Sequence, residues 1–292
     1  MAYVINEEKI FSSGHNGCPG CNEALAIRYV LNSLGSNTVA VVPPSCISII
    51  SGAQPYSSMR IPTYQCAFET SAISAAGIKR ALNARGKETV NVVAIAGDGG
   101  TYDIGFQALS AAAERNEDII YVCLDNEGYM NTGTQKSSAT PYMAYTTSTP
   151  SGKLTPKKNL ALIMAEHKIP YVATATTGYP DDLVAKILKA KEMSGLRFIL
   201  VLTPCLDGWG LADNQGVKIS RLAVESGVFP LYEVKDGDKY TLNHGPNGIP
   251  VSTYLSKQKR YKHLDQNDIA IIQSQVDQDW RYLKQRFVPA LE

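Results

Sequence analysis

The chain has 292 residues, enough to bury a substantial core as one large domain or two small ones. Its 28 basic and 27 acidic side chains leave a net charge of +1, so bulk charge points to no nucleic acid or other polyanion as partner. Charged residues are 19%, below the roughly 25% of ordinary soluble domains, which fits a surface partly buried against other subunits.

The stretch from Met1 to Lys9 lacks the basic and then apolar layout of a signal peptide. No run of about 18 apolar residues is present to span a membrane, and a cytoplasmic protein is expected. Six cysteines there point to metal or redox chemistry rather than a disulfide framework. Gly14-His15 precedes the turn Cys18-Pro19-Gly20-Cys21, and a helix begins near Glu23. That pair suits a redox dithiol, zinc or an iron–sulfur group. Residues 11–17 are loop-like, without the strand a thioredoxin-like dithiol needs.

Thr38–Val42 is a short β-branched strand, followed by Cys46. Residues 68–85, rich in alanine with apolar positions at helical spacing, predict a helix. The apolar strand 92–96 runs into Gly97-Asp98-Gly99-Gly100, and a helix over 106–115 leads to a strand at 119–124. Directly after it come Asn126-Glu127-Gly128 and Asn131-Thr132. Residues 127–153, without periodicity, read as a loop covering substrate. A helix over 157–168, a strand over 171–175 and a helix over 181–193, opened by Pro180 and acidic residues, come next. Arg197–Leu202 is a last apolar strand, ending at Thr203-Pro204-Cys205. Beyond Val228 come turn signals at Asp236-Gly237 and Pro246-Asn247-Gly248, then a polar helix over 267–287. The division expected is 1–227 as the ligand-binding domain and 228–292 as an extension packing on a neighbouring subunit.

This alternation predicts an α/β fold, a mostly parallel sheet with helices on both faces. Such sheets bind ligands beyond the carboxyl ends of their strands, where Cys46, Asp98, Asn126 and Cys205 all fall. A carboxylate and an amide are hard oxygen ligands for Mg²⁺, and Mg²⁺ suits a diphosphate. The glycines let backbone approach phosphate oxygens. Cys18, Cys21, Cys46 and Cys205 form a candidate four-thiolate set, open to zinc or a [4Fe–4S] cluster. Zinc usually takes local knuckle pairs, whereas these four are scattered. Cys123 reads as a core residue within a strand, and Cys66 as core or as a rival to Cys46. The histidines are unclustered; His15 either meets a cofactor or partner, or is a solvated loop residue.

Together, Gly14-His15 before Cys18 and Cys21, the placing of Cys46, Gly97-Asp98-Gly99, Asn126 through Gln135, Thr203-Pro204-Cys205 and the stretch 250–264 resemble the beta subunit of 2-oxoacid:ferredoxin oxidoreductases. The resemblance covers nearly the whole chain and implies a thiamine diphosphate-binding fold that oxidatively decarboxylates a 2-oxoacid, pyruvate first. By it, Gly97, Asp98, Gly99, Asn126, Gly128, Asn131 and Glu23 contact the cofactor, with Asp98, the Asn126 side chain and the Gly128 carbonyl on Mg²⁺. Asn131 and Thr132 face the thiazolium and substrate, and the four cysteines hold a [4Fe–4S] cluster. Glu69 either touches the cofactor or caps a helix. Asn22 departs from the glycine common in the family. The resemblance also implies an alpha subunit supplying the activating glutamate and the grip on the substrate carboxylate. Ferredoxin-like and gamma-type subunits and coenzyme A complete the expected partners. Two other readings stand beside it: an iron-free thiamine diphosphate subunit of the decarboxylase or transketolase type, and a zinc-stabilised interaction subunit without catalysis.

Overall fold

The protein is described by a computed structural model covering residues 9–287; the reading of the N-terminal leader, which rests on residues 1–8, lies outside them. Among the described residues are eight strands: β1 (Thr38–Val42), β2 (Thr63–Gln65), β3 (Asn91–Gly97), β4 (Ile120–Asp125), β5 (Tyr171–Thr176), β6 (Arg197–Leu202), β7 (Leu231–Lys235) and β8 (Lys239–His244). They form one sheet in the order β2-β1-β3-β4-β6-β5-β7-β8. The first six are parallel, and β7 and β8 add an antiparallel edge. The predicted mostly parallel α/β sheet is therefore the observed one.

Alternation along the central strands divides the core into two layers, because successive side chains of a strand point to opposite faces. Val93, Ile95, Val122, Leu124, Ile199 and Val201 pack on one side. There they meet α1 (Asn22–Leu34), α2 (Cys46–Ser51) and, further along, α7 (Pro180–Lys191) through Ile27, Leu31, Ile47, Leu183 and Ile187. Tyr121, Cys123, Phe198 and Leu200 face the other way. That layer holds α3 (Ser71–Asn83), α4 (Asp98–Tyr102), α5 (Phe106–Glu114) and α6 (Leu160–Glu166), then α8 (Leu206–Trp209), α9 (Gly216–Glu225), α10 (Val251–Leu255) and α11 (Gln266–Lys284). Cys123 is fully buried here, as its position in an apolar strand predicts. Among the described residues no helix is long and apolar enough to cross a membrane.

Two helices start later than their periodicity predicts. α3 starts at Ser71 rather than 68 because Thr70 N–H first closes a turn on the Ala67 carbonyl at 3.1 Å. α6 starts at Leu160 rather than 157: Asn159 caps it by accepting from Leu162 N–H at 3.2 Å, and the Lys157 and Lys158 ammoniums are drawn to Asp125 and the Tyr102 carbonyl. The predicted turn at Asp236-Gly237 joins β7 to β8, both residues having positive φ. Residues 228–287 thus add β7, β8, α10 and α11, and Val276 and Trp280 of α11 pack against the main core. The segment 127–153 holds buried Ser137, Thr140 and Ala144 and is tied by Lys153 Nζ to the Thr140 carbonyl at 2.6 Å.

Topology places four strand ends side by side. β1, β3, β4 and β6 are consecutive neighbours, so the segments after them, carrying Cys46, Asp98, Asn126 and Cys205, open along one edge. The link after β3 is tightly built: a Cβ on Gly105 would lie 2.2 Å from the Gly100 carbonyl oxygen. Gly105→Ala should therefore destabilise the fold by about 1–3 kcal/mol through backbone overpacking, measured by urea unfolding; an unchanged midpoint would contradict this packing.

Candidate cofactor and thiol site

The Cys18–Cys21 turn is closed by Cys21 N–H on the Cys18 carbonyl at 3.1 Å. Gly20 has φ +71° and faces the Asp213 carbonyl so closely that a Cβ would lie 2.0 Å from its oxygen, so only glycine fits this turn. Cys21 then caps α1. The next residue, Asn22, is buried and satisfied at both ends: its Nδ2 donates to the Pro204 carbonyl at 3.0 Å, and its Oδ1 accepts from Thr177 Oγ1 at 3.0 Å. The residue that departs from glycine thus staples the first cysteine pair to the segment carrying Cys205.

Cys46 opens α2, and Cys205 caps α8, where its Sγ accepts Gly208 N–H at 3.3 Å. Cys18, Cys21, Cys46 and Cys205 line one pocket of about 90 Å³. Glu23, Asn126 and Asn131 line it too. Cys66 and Cys123 do not. Among the described residues, no three His, Cys, Asp or Glu side chains converge closely enough to hold a single metal ion. The four thiols surround a space instead.

Burial and the nearby Glu23 carboxyl push the Cys21 thiol up to about 11. Cys205 is likewise raised by burial to about 11, against the opposing pull of Gly208 N–H. Cys46 rises further, through burial, Glu23 and the other three thiols. Four thiolates crowded together repel one another and disfavour ionisation. A group carrying positive charge at its metal atoms relieves that repulsion, and the N–H directed at Cys205 Sγ already favours the anion.

Glu23 is buried behind the thiols, and burial lifts its carboxyl to about 7 while the Asn126 hydrogen bond opposes the rise. Its Oε1 accepts from Asn126 Nδ2 at 2.6 Å, and its Oε2 has no partner. Asn126 Oδ1 is also buried without a partner. With Nδ2 committed to Glu23, the amide leaves its oxygen as a free acceptor. Asp98, the first residue of α4, is buried, accepts from Ser137 Oγ at 2.5 Å, and is pushed well up by burial and by Asp125. β3 and β4 are paired at Gly97 and Leu124, so Asp98 and Asn126 leave adjacent strands. An unpartnered amide oxygen and a carboxyl destabilised as an anion are a donor set that a hard divalent cation would complete.

Gly99 packs against the Tyr129 ring, where a Cβ would lie 2.2 Å away, and Tyr129 donates to Asp103 at 2.7 Å. Gly97 has ordinary room for a Cβ, at 3.6 Å from Ser45. Gly128 lies 3.0 Å, measured from its ideal Cβ, from the Gln135 carbonyl. Asn131 and Thr132 are exposed on the turn after Tyr129; Thr132 Oγ1 donates to Gln135 Oε1 at 2.7 Å and is not part of the thiol pocket. Glu69 is half-buried just ahead of α3. His15 stacks on Phe11 at 5.1 Å and accepts Gly17 N–H at 3.2 Å.

A network of buried charges behind the site has no counterpart in the sequence reading. Lys157 Nζ lies 2.6 Å from Asp125 and 2.8 Å from Glu127, and Arg260 Nη2 lies 2.6 Å from Glu127. Burial alone would raise the Glu127 carboxyl, but Lys157 and Arg260 overcome it and hold it below the ordinary range. Asp125 also accepts from Tyr102 at 3.0 Å. These partners stand up to 133 residues apart, and no local pattern announces them.

Residues 50–201 match the family described as thiamine pyrophosphate enzyme, C-terminal TPP binding domain. The chain is 49% identical to pyruvate synthase subunit PorB of Methanothermobacter thermautotrophicus, over 94% of this chain and 96% of that protein. It is 42% identical to ketoisovalerate oxidoreductase subunit VorB of Pyrococcus furiosus, over 96% of this chain and 94% of that one. A structure of 2-oxoglutarate:ferredoxin oxidoreductase from Magnetococcus marinus shares the fold, with TM-score 0.60 at 19% identity, covering 92% of this chain and 97% of that one.

In the reduced chain stripped of bound groups, Cys21 and Cys205 should be almost fully protonated at neutral pH. Their alkylation by iodoacetamide should accelerate roughly tenfold per pH unit from pH 7 towards 11. Peptide mass spectrometry reads this directly, and a rate flat between pH 7 and 9 would contradict the buried, mutually repelling arrangement.

Proposed function

The chain belongs to the beta subunits of the 2-oxoacid:ferredoxin oxidoreductases, a thiamine diphosphate enzyme family, and we propose that it holds both the coenzyme with its Mg²⁺ and a [4Fe–4S] cluster. The observation that carries this reading is the single pocket shared by four thiols, Glu23 and Asn126 at the carboxyl edge of the sheet. Asp98, the Asn126 Oδ1 and the Gly128 carbonyl are the protein ligands of Mg²⁺ in this reading. Gly97 and Gly99 present backbone to the diphosphate in this reading, Gly99 also making room for the Tyr129 ring, and Asn131 and Thr132 stand at the substrate side. Glu23 orients the Asn126 amide by accepting its N–H, which keeps the oxygen turned to the cation.

Thiamine diphosphate, when bound, supplies a nucleophilic carbon and an electron sink for loss of the substrate carboxylate as CO₂. A [4Fe–4S] cluster, when bound, takes up electrons singly, and Cys18, Cys21, Cys46 and Cys205 would hold it. The protein's own contribution is placement: neighbouring strand ends hold both sets of ligands, and buried walls exclude water. The proposed substrate is pyruvate, with coenzyme A as acyl acceptor and ferredoxin as electron acceptor; the name of the relative PorB supports the first.

The remaining groups lie on other chains in this reading. An alpha subunit supplies the activating glutamate and the substrate-carboxylate grip, and ferredoxin-like and gamma-type subunits carry electrons onward in the cytoplasm. Ile49, exposed and lining the thiol pocket, supports a subunit seated there. Ile271 and Tyr282, exposed on α11, support the packing of 228–292 on a neighbour.

In the complex purified without oxygen, Asp98→Asn should weaken Mg²⁺–thiamine diphosphate retention about a hundredfold or more, with the secondary structure unchanged by circular dichroism. Normal coenzyme content in that variant would refute the Mg²⁺ assignment. Cys205→Ser should lower iron content or alter the cluster's electron paramagnetic resonance, whereas Cys66→Ser should do neither. Equal losses from both, or zinc in place of iron, would refute the thiol assignment.

A further inference from the structure

The Asn126 amide can serve a cation only if the turn carrying it is held still, and that turn is intrinsically strained. Glu127, the next residue, has φ +67°, a left-handed conformation unfavourable for a residue with a Cβ. Two distant segments grip it. The Trp209 indole N–H donates to the Asn126 backbone carbonyl at 2.8 Å. The Arg260 guanidinium lies over the Trp209 ring, 3.7 Å from its centre, and its Nη2 reaches Glu127 Oε2 at 2.6 Å. Both side chains are buried, and Gln258 Oε1 accepts from Arg260 Nε at 2.8 Å, fixing the guanidinium plane.

We propose that Trp209 and Arg260 are positioning residues that clamp the Asn126–Glu127 turn and thereby set the affinity of the site for Mg²⁺. The clamp rests on the reading of Asn126 as a Mg²⁺ ligand. Neither residue lines the pocket of the thiols and Asn126; each acts through the backbone or side chain of the turn. Trp209 also ends the helical turn that Cys205 opens, with Trp209 N–H on the Cys205 carbonyl at 3.0 Å. The indole thus ties the thiol segment to the amide segment, beside the Thr203 N–H on the Asp125 carbonyl at 2.9 Å.

The test uses the intact complex and titrates Mg²⁺ at fixed thiamine diphosphate, reading retained coenzyme. Trp209→Phe keeps an aromatic face under Arg260 and removes the N–H donor. It should raise the Mg²⁺ concentration for half-maximal retention about tenfold, the scale of one buried hydrogen bond, and saturating Mg²⁺ should restore full retention. Arg260→Lys keeps the charge but loses the stacked, forked geometry, and should shift the titration in the same direction. Trp280→Phe, on α11, should leave it unchanged. The cluster's paramagnetic signal should shift in Trp209→Phe and not in Trp280→Phe.

A folded Trp209→Phe complex that titrates like the parent overturns the proposal. So does a loss of retention that no Mg²⁺ concentration repairs, since that marks a role in folding alone. If Trp209→Phe does not assemble, the Arg260→Lys titration decides by the same criteria. A parent complex whose coenzyme retention is indifferent to Mg²⁺ would instead sink the underlying assignment of Asn126.

Discussion

The hydrogen bond from Asn126 Nδ2 to Glu23 joins the first turn of α1 to the segment after β4, 103 residues further along the chain. Glu23 belongs to the first turn of the helix that Cys21 caps, and Asn126 directly follows the central strand β4. At 2.6 Å in a buried setting, this contact decides which end of the amide faces the site. It also brings a carboxyl close to Cys21, Cys46 and Cys205, where its charge adds to the rise of these three thiols. Burial is the larger cause of each rise, and Glu23 adds to it.

Behind the contact lies an imbalance of charge. Glu23, Asp98, Asp125 and Glu127 are all buried, and Lys157 and Arg260 are directed to the last two. Asp125 and Glu127 are thus compensated by ion pairs in a setting where an unpaired charge costs several kcal/mol. Asp98 has only the Ser137 hydroxyl and distant help from Lys157, and its carboxyl rises accordingly. The fold has committed these cations to holding the turn, and it leaves the Asn126 oxygen without a partner and Asp98 with the Ser137 hydroxyl. In the proposed reading a divalent cation would complete this donor set.

The two halves of the site are also linked mechanically. Asn22 ties the first cysteine turn to the Pro204 carbonyl, and Trp209 ties the following helical turn to Asn126. Three segments remote in sequence are therefore welded through two side chains. Short, directional, buried contacts of this kind hold ligands more exactly than loop packing can.

Residue order alone determined the layering and the edge. Apolar strand runs alternating with amphipathic helices force a parallel sheet, and a parallel sheet exposes the residues after its strands along one side, so Cys46, Asp98, Asn126 and Cys205 were legible as neighbours. Cys123 was legible as core for the same reason. Periodicity could not show that Lys157 and Lys158 would leave the helical pattern, because their pull comes from Asp125 and the Tyr102 carbonyl, far away in the chain. Nor could it show Arg260 lying on Trp209, or Asn22 bridging to Pro204. Local sequence records propensity and facing direction, which depend on near neighbours. Pairing of buried charges and amides depends on which distant segments share a low-dielectric interior, and only the tertiary structure decides that.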